Sequence, residues 1–153
     1  MKICDQYSHQ NALEVINKKG VFQEIEDCID QESIIFEKGK PLSIKKIINS
    51  NFNSLGWADN IKIKNTQLSI NFLKSKVGVC FQLGNVARMY ADILKLGYLY
   101  DEGIIDAGVI CVPHQIESRL LGANYARFDR LTKEVNLFRK IINVPILIIG
   151  LSN

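Results

Sequence analysis

The sequence predicts an α/β fold in which a central mixed β-sheet is flanked by α-helices. Three observations support this fold class. Apolar residues recur at helical spacing in segments 9–29 and 117–141, short apolar runs of strand length lie within 61–151, and the two kinds of segment alternate along the chain. A length of 153 residues is typical of one domain, so we expect residues 1–153 to fold as a single unit.

The N-terminal third is predicted to be helical. Gly20 interrupts the helical pattern of 9–29, so this segment forms either two short helices or one broken helix. A Gly-Lys-Pro sequence at 39–41 indicates a turn, and 42–48 is predicted as another short helix. Segment 49–54 is rich in Asn and Ser, which is typical of a loop.

Two further helices are predicted in the second half of the chain. Asn85 has the residue type of an N-cap and precedes a helical pattern at 86–96, which Gly97 is expected to end. Segment 117–141 has the apolar spacing of one long amphipathic helix, with arginines interleaved among the apolar residues.

Strands are predicted where apolar residues alternate with polar ones or form short runs. Side chains alternate between the two faces of a strand, so Gly78, Cys80 and Gln82 should share one face. The last run is apolar at every position, which favours a central strand covered on both sides. The predicted strands are 61–64 (an edge strand), 68–73, 77–83, 105–112 (closed by Pro113) and 144–151.

Composition places the chain among ordinary globular proteins. Its net charge of +3 permits contact with phosphates but does not require it. Cys4, Cys28, Cys80 and Cys111 form no C-x-x-C pair, so we expect isolated core thiols rather than a zinc cluster or a disulfide framework. No apolar segment has the length of a membrane span and no secretory signal is visible, which predicts a cytoplasmic protein without a membrane partner.

Four segments in order resemble a known family. Residues 71–85 read NFLKSKVGVCFQLGN, and 88–95, 104–113 and 144–151 follow as RMYADILK, IIDAGVICVP and VPILIIGL. Together they resemble the type II restriction endonucleases of the BglII, BstYI and BamHI group, within the PD-(D/E)XK superfamily. In that group an acid is followed by roughly F-x-K, and a second acid stands nine residues after the first, in a V-E-x-Q strand. The resemblance implies a restriction-endonuclease-like core.

The resemblance also implies a Mg²⁺-dependent active site, but the matching positions lack its acids. Asn71 and Cys80 stand where the family has its two metal-binding carboxylates. Gln82 stands at the position that some members use in place of a lysine. A neutral amide oxygen and a protonated thiol are poor ligands for a hard cation, so we expect inactive catalytic positions and no bound metal or cofactor. Without the resemblance, Asn71 and Cys80 are simply a polar strand residue and a core thiol. Asp59 and Asp106 could replace the acids only if they reached the site, and a turn role and a structural role are favoured for them.

Partner predictions follow from the basic residues and from the family. Segment 117–141 is the predicted contact for a homodimer or a larger assembly, since the family dimerises through helices. His114 follows a strand end, where loops often carry function, but no Ser or Cys partner is evident by spacing. If the chain binds DNA, the expected phosphate-facing residues are Lys62, Lys64, Lys74, Lys76, Asn85 and Arg88.

Three functions are therefore open from the sequence. The leading hypothesis is a catalytically inactive protein of the restriction-endonuclease fold that is retained for binding, most simply to DNA. The first alternative is a structural or interaction subunit of a protein or ribonucleoprotein assembly. The second is an active site-specific deoxyribonuclease that uses non-standard metal ligands.

Overall fold

A computed structural model describes residues 1–38 and 41–153 of the chain. The turn predicted at 39–41 therefore lies mostly outside the described residues. Strands and helices alternate as predicted. In chain order they are β1 Lys2–His9, α1 Ala12–Lys18, α2 Phe22–Ile29, α3 Pro41–Ser54, β2 Ala58–Lys62, β3 Ser69–Lys74, β4 Val77–Phe81, α4 Val86–Asp101, β5 Ala107–Pro113, α5 Gln115–Leu121, α6 Phe128–Leu137 and β6 Ile146–Ser152.

One six-stranded mixed sheet has the order β1-β6-β5-β4-β3-β2. Strands β4, β5 and β6 are parallel to one another. The other strands each pair antiparallel with their neighbours, β1 with β6, β3 with β4, and β2 with β3. This arrangement confirms the predicted fold class, with β6 inside the sheet and β2 at an edge. The carboxyl ends of the parallel strands lie together at one end of the sheet. Ligand-binding sites of α/β folds are commonly found at this end.

Helices cover both faces of the sheet. Helices α1, α2 and α3 pack on one face, and α4 and α6 pack on the other. Strand β5 is buried at every position because its side chains enter both cores in alternation. Helix α4 lies directly on the β5 backbone, since a Cβ atom at Gly108 would be 2.7 Å from Leu96 Cδ1. The parallel strands are therefore enclosed by the two helical layers.

Strand β1 was not predicted, because it lacks an apolar pattern. Five of its eight residues are exposed, as is common for a strand at the edge of a sheet. Its backbone pairs with β6 from Lys2 with Ser152 to His9 with Ile146. Main-chain hydrogen bonds rather than apolar alternation hold this strand, so a search for periodicity misses it.

The predictions for α1 to α4 were right in type and less accurate at the ends. Segment 9–29 forms two helices separated at Gly20. The predicted loop at 49–54 is wrong, because α3 continues through it to bury Phe52 on the same side as Ile44 and Ile48. Helix α4 also continues past Gly97 to Asp101.

The long helix predicted at 117–141 is also wrong. The segment contains α5 and α6, which are separated by residues 122–127. This connection makes backbone hydrogen bonds to the β4–α4 loop, from Ala126 N to Gly84 O at 2.8 Å and from Val86 N to Asn124 O at 3.0 Å. These bonds satisfy main-chain groups that a continuous helix would have used internally. The partner surface predicted on one long helix therefore does not exist in that form.

Each helix within residues 1–38 and 41–153 is too short or too polar to cross a bilayer.

Phe52 tests the contribution of α3 to stability. Its ring stacks on Phe72 at 4.1 Å and meets the Trp57 ring edge-on at 5.1 Å. We expect Phe52→Ala to lower the free energy of unfolding by about 3–5 kcal/mol, because it removes apolar burial and leaves a cavity. Urea denaturation measures this loss. Leu42→Ala in the same helix is the control, since Leu42 is 74% exposed and should change stability by less than about 0.5 kcal/mol. Equal effects of the two substitutions would contradict the packing described here.

Candidate functional site

The β3–β4 hairpin opens at the end away from its turn. Backbone pairing runs from Lys74 with Val77 to Phe72 with Val79. Beyond that point the Asn71 side chain replaces a main-chain partner, because its Oδ1 accepts the Phe81 backbone N–H at 2.8 Å. The Asn71 carbonyl oxygen therefore bridges the two strands where they separate.

Cys80 lies in the core beneath this opening. It is fully buried on β4, on the face that Gly78 shares, as predicted. Burial raises the pKa of the Cys80 thiol well above its usual value, and the nearby Asp92 carboxylate raises it further. A protonated thiol enclosed by apolar neighbours is not available to a cation arriving from solvent.

Gln82 contacts a carboxylate that α4 supplies. Its Nε2 donates to Asp92 Oδ2 at 2.5 Å, and Lys95 Nζ lies 2.5 Å from Asp92 Oδ1. Lys95 also donates to the Ser69 carbonyl oxygen at 2.8 Å, so it ties α4 to the start of β3. Asp92 is only 3% exposed, and its charge is balanced inside the protein by Lys95.

Asp92 was missed as a site residue from the sequence, although a signal was present. It lies in the segment 88–95 that resembles the family helix. The helical spacing of Met89, Asp92 and Leu96 places it on the buried stripe of α4, and all three are buried. An acidic residue on a buried helical face needs a partner, and Lys95 one turn later supplies it.

These donors do not fit a magnesium ion. Mg²⁺ favours charged oxygen ligands, whereas Asn71 offers a neutral oxygen that already accepts an N–H, and Cys80 offers an enclosed thiol. Both oxygens of Asp92 already have partners, and the Lys95 ammonium would repel a dication placed beside them. No hydrolytic step can be derived from this set of groups.

Of the two aspartates considered as replacements, Asp106 lies far from the hairpin opening and Asp59 lies on the strand beside Asn71. Asp106 precedes β5, at the opposite end of the strands from Gln82, and it forms ion pairs with Lys19 and Lys76. Its hydrogen bond with Lys19 holds the pKa of Asp106 below its usual value. Asp59 is exposed on the edge strand β2, accepts from Asn53 Nδ2 at 3.4 Å, and lines a pocket of about 350 Å³ together with Asn71, outside the cleft described below. Neither carboxylate joins Asp92.

A cleft lies over the open end of the hairpin, between α3 and α4, with a volume of about 440 Å³. We call it the hairpin cleft. Its lining contains three cationic side chains and one carboxylate, so its formal charge is +2. Burial lowers the pKa of the Lys45 ammonium, and the Arg88 charge lowers it further. The lining side chains used below are Lys45, Asn71, Gln82, Arg88, Asp92 and Lys95.

The predicted phosphate-facing lysines at the hairpin turn lie away from this cleft. Lys74 binds both oxygens of Glu24, at 2.7 and 2.9 Å, and Lys76 lies 3.8 Å from Asp106. Lys74 lies three residue steps from Asn71 along β3, which is about 10 Å in a strand. These two lysines are therefore engaged by carboxylates at the other end of the hairpin.

The remaining predicted contacts divide between the cleft and its surroundings. Arg88 lines the hairpin cleft, and Lys62 pairs across the sheet with Ser69 at the mouth of the cleft. Asn85 is the N-cap of α4, as predicted, and its Oδ1 accepts the Ala87 N–H at 2.8 Å. Lys64 lies 3.6 Å from Glu102 and is therefore paired outside the cleft.

The Lys95–Asp92 pair can be tested by substitution. We expect Lys95→Met to lower the free energy of unfolding by about 3 kcal/mol, because it leaves the Asp92 carboxylate buried without a cation. Adding Asp92→Asn to this variant should recover part of the loss. Lys18→Met is the control. Lys18 forms an exposed pair with Glu14 at 2.7 Å, so this substitution should lower the free energy of unfolding much less. Chemical denaturation compares the variants, and equal losses for Lys95→Met and Lys18→Met would contradict the importance of the buried pair.

Comparison with known proteins agrees with this architecture. Residues 4–151 match the model of the family described as restriction endonuclease BglII/BglIII. The structure is similar to a crystal structure of restriction endonuclease BglII complexed with a DNA 16-mer, with a TM-score of 0.83 and 19% identity over 100% of this chain and 77% of that chain. It is also similar to free BglII, with a TM-score of 0.78 and 19% identity over 100% of this chain and 80% of that chain. A comparison with curated protein sequences found no significant match. Because the family match spans nearly the whole sequence, the chain belongs to the BglII/BglIII restriction endonuclease family.

Proposed function

We propose that this protein binds duplex DNA through the hairpin cleft and does not cleave it. The observation that carries the proposal is the charge of the cleft. Lys45, Arg88 and Lys95 surround one carboxylate, Asp92, whose charge Lys95 already balances. The groups that remain can receive a phosphate but cannot hold the metal that hydrolysis would need.

Electrostatics favours a phosphate backbone at this position. A cleft that retained two uncompensated carboxylates would repel phosphate in the absence of metal, whereas a net positive cleft attracts it. Neutralising phosphates with Lys and Arg releases counterions, which supplies most sequence-independent DNA affinity. Lys45 should add to this sequence-independent affinity, because a phosphate beside its ammonium would offset the cost of burying that charge.

Family membership supports duplex DNA as the ligand. BglII itself has been crystallised with a DNA 16-mer, and its fold covers this whole chain. We extend DNA binding to this chain without a recognition sequence, since base readout depends on individual side chains and the identity is 19%. A homodimer and a cytoplasmic location stay predictions.

An interaction role is the second candidate, and one surface favours it. Leu137, Phe138 and Ile141 at the end of α6 are 73%, 46% and 75% exposed. Adjacent exposed apolar side chains of this size often mark a contact with another protein. Light scattering of the purified protein would reveal self-association, and exchange of Leu137 and Ile141 for Ser should abolish it if this surface is responsible.

The absence of cleavage is directly testable. We expect the protein to leave supercoiled plasmid DNA intact in the presence of Mg²⁺ or Mn²⁺, because its cleft lacks two free carboxylates. Gel electrophoresis of the plasmid is the measurement. Cleavage that disappears in Asp92→Asn would contradict the proposal and would identify Asp92 as a metal ligand in spite of its pairing.

Restoring the acids tests whether the scaffold is otherwise competent. We expect Asn71→Asp combined with Cys80→Glu to introduce Mg²⁺-dependent nicking, since the two carboxylates then occupy the positions of the family acids. Circular dichroism is needed beside the activity measurement, because position 80 is fully buried and the larger side chain must be accommodated.

DNA binding should depend on salt and on the lining cations. With a 16-base-pair duplex in a mobility-shift assay, we expect affinity to fall as salt rises. Arg88→Ala should reduce the slope of log affinity against log salt by about 1, because one phosphate contact is lost. Lys18→Ala is the matched control, since this exposed lysine lies on α1, away from the cleft, and should leave the slope unchanged. The absence of a mobility shift at low salt would contradict the proposal that the protein binds DNA.

A further inference from the structure

A bulge in β1 brings two neighbouring side chains together. Ile3 pairs with Leu151 and Asp5 pairs with Gly150, so Cys4 is an extra residue between successive partners on β6. Bulges of this kind re-aim side chains and occur beside functional sites. Here the bulge places the Cys4 thiol and the Asp5 carboxylate close to each other instead of on opposite faces of the strand.

His114 reaches the same place from β5, which is separated from β1 by β6. It directly follows β5, and its backbone N–H donates to the Leu151 carbonyl oxygen at 2.7 Å. Its ring stacks on Phe128 with 5.5 Å between centroids. The main-chain bond and the ring contact together orient Nε2 toward Asp5 Oδ2, 3.0 Å away.

Three potential ligand atoms therefore converge. The Cys4 Sγ, an oxygen of Asp5 and a ring nitrogen of His114 all lie within 4.8 Å of one another. Tetrahedral zinc, with bonds of about 2.0–2.3 Å, separates its ligand atoms by about 3.3–3.8 Å. Cys4 and Asp5 are exposed and His114 is half-buried, so a movement of about 1 Å at the side-chain ends would suffice and a cation can enter from solvent.

We propose that Cys4, Asp5 and His114 bind a divalent cation of the zinc class, with water as the fourth ligand. A thiolate, an imidazole and a carboxylate form a mixed set that suits zinc or cobalt, whereas magnesium and calcium require oxygen ligands. In the metal-free protein the thiol donates to the Gly150 carbonyl oxygen at 3.3 Å. Cation binding replaces that contact, and the thiol proton passes to solvent.

Three potential ligands lie together here, whereas a surface ion pair would need two charged groups. An Asp5–His114 pair accounts for two of the three groups, whereas the bulge brings the Cys4 thiol beside them, where it donates to the Gly150 carbonyl oxygen. The nearby Glu117 carboxylate adds negative potential around the three groups, which favours a cation. The site would connect β1 to the β5–α5 junction, since Asp5 and His114 are 109 residues apart. It is independent of the DNA-binding proposal and of the hairpin cleft.

Cobalt titration of the chelator-treated full-length protein tests the site. We expect one equivalent of Co²⁺ to produce a thiolate-to-cobalt charge-transfer band, which one equivalent of Zn²⁺ then removes. Zn²⁺ should also raise the midpoint of thermal unfolding by several degrees, because the cation binds the folded state, whereas Mg²⁺ should not. The absence of a charge-transfer band would overturn the proposal.

Substitutions assign the ligands. Cys4→Ser should abolish the band, and Asp5→Asn and His114→Gln should each weaken cobalt binding at least tenfold. Cys28→Ala is the matched control, since that thiol is buried and its loss should leave the band unchanged. If Cys4→Ser fails to fold, thiol alkylation of the unmodified protein decides, because Zn²⁺ should slow alkylation of the exposed cysteine and Mg²⁺ should not. A band that survives Cys4→Ser, or alkylation that Zn²⁺ does not slow, would refute the site.

Discussion

The Asp92 carboxylate is buried between the Lys95 ammonium and the Gln82 amide, and the chemistry of the hairpin cleft depends on these contacts. A buried carboxylate without a cation is strongly unfavourable, so Asp92 and Lys95 must remain together in the folded state. The same lysine holds the start of β3 through the Ser69 carbonyl oxygen. One pair therefore shapes the open end of the hairpin and at the same time uses up the carboxylate that a metal would need.

The parallel centre of the sheet explains where functional groups can gather. Strands β4, β5 and β6 are parallel, so their carboxyl ends lie at the same end of the sheet. Gln82 follows β4 and contributes to the hairpin cleft, whereas His114 follows β5 and meets Cys4 and Asp5. The core holds the strands rigidly, while the residues just beyond their ends are free to carry polar chemistry.

Departures from regular pairing create both groups of residues. The β3–β4 ladder stops at Phe72 and Val79, and the Asn71 side chain bridges the gap that follows. On the other side of the sheet, the extra residue Cys4 interrupts the pairing of β1 with β6. An interrupted ladder leaves side chains and backbone groups that need other partners, and such positions commonly carry function.

Much of this protein was determined by its sequence alone. Apolar periodicity was sufficient for the helices α1, α2 and α4 and for the buried strands, because burial of apolar side chains follows the repeat of each element. Ordered motifs in 71–151 identified the family, and the residue types of Asn71 and Cys80 predict that they do not replace two acids. Strand β1 and the break between α5 and α6 were not accessible in this way, because main-chain hydrogen bonds to distant segments decide them.

Only the tertiary structure decided which polar groups meet. Asp92 pairs with Lys95 within one helix, but its contact with Gln82 depends on how α4 packs against β4. Lys74 and Lys76 appeared from their sequence neighbours to flank the cleft, yet Glu24 and Asp106 engage them at the other end of the hairpin. Charges act through space over a few ångströms, and residues far apart in the chain supply the partners. Residue types therefore set which chemistry is available, and the packing of strands and helices sets where it is assembled.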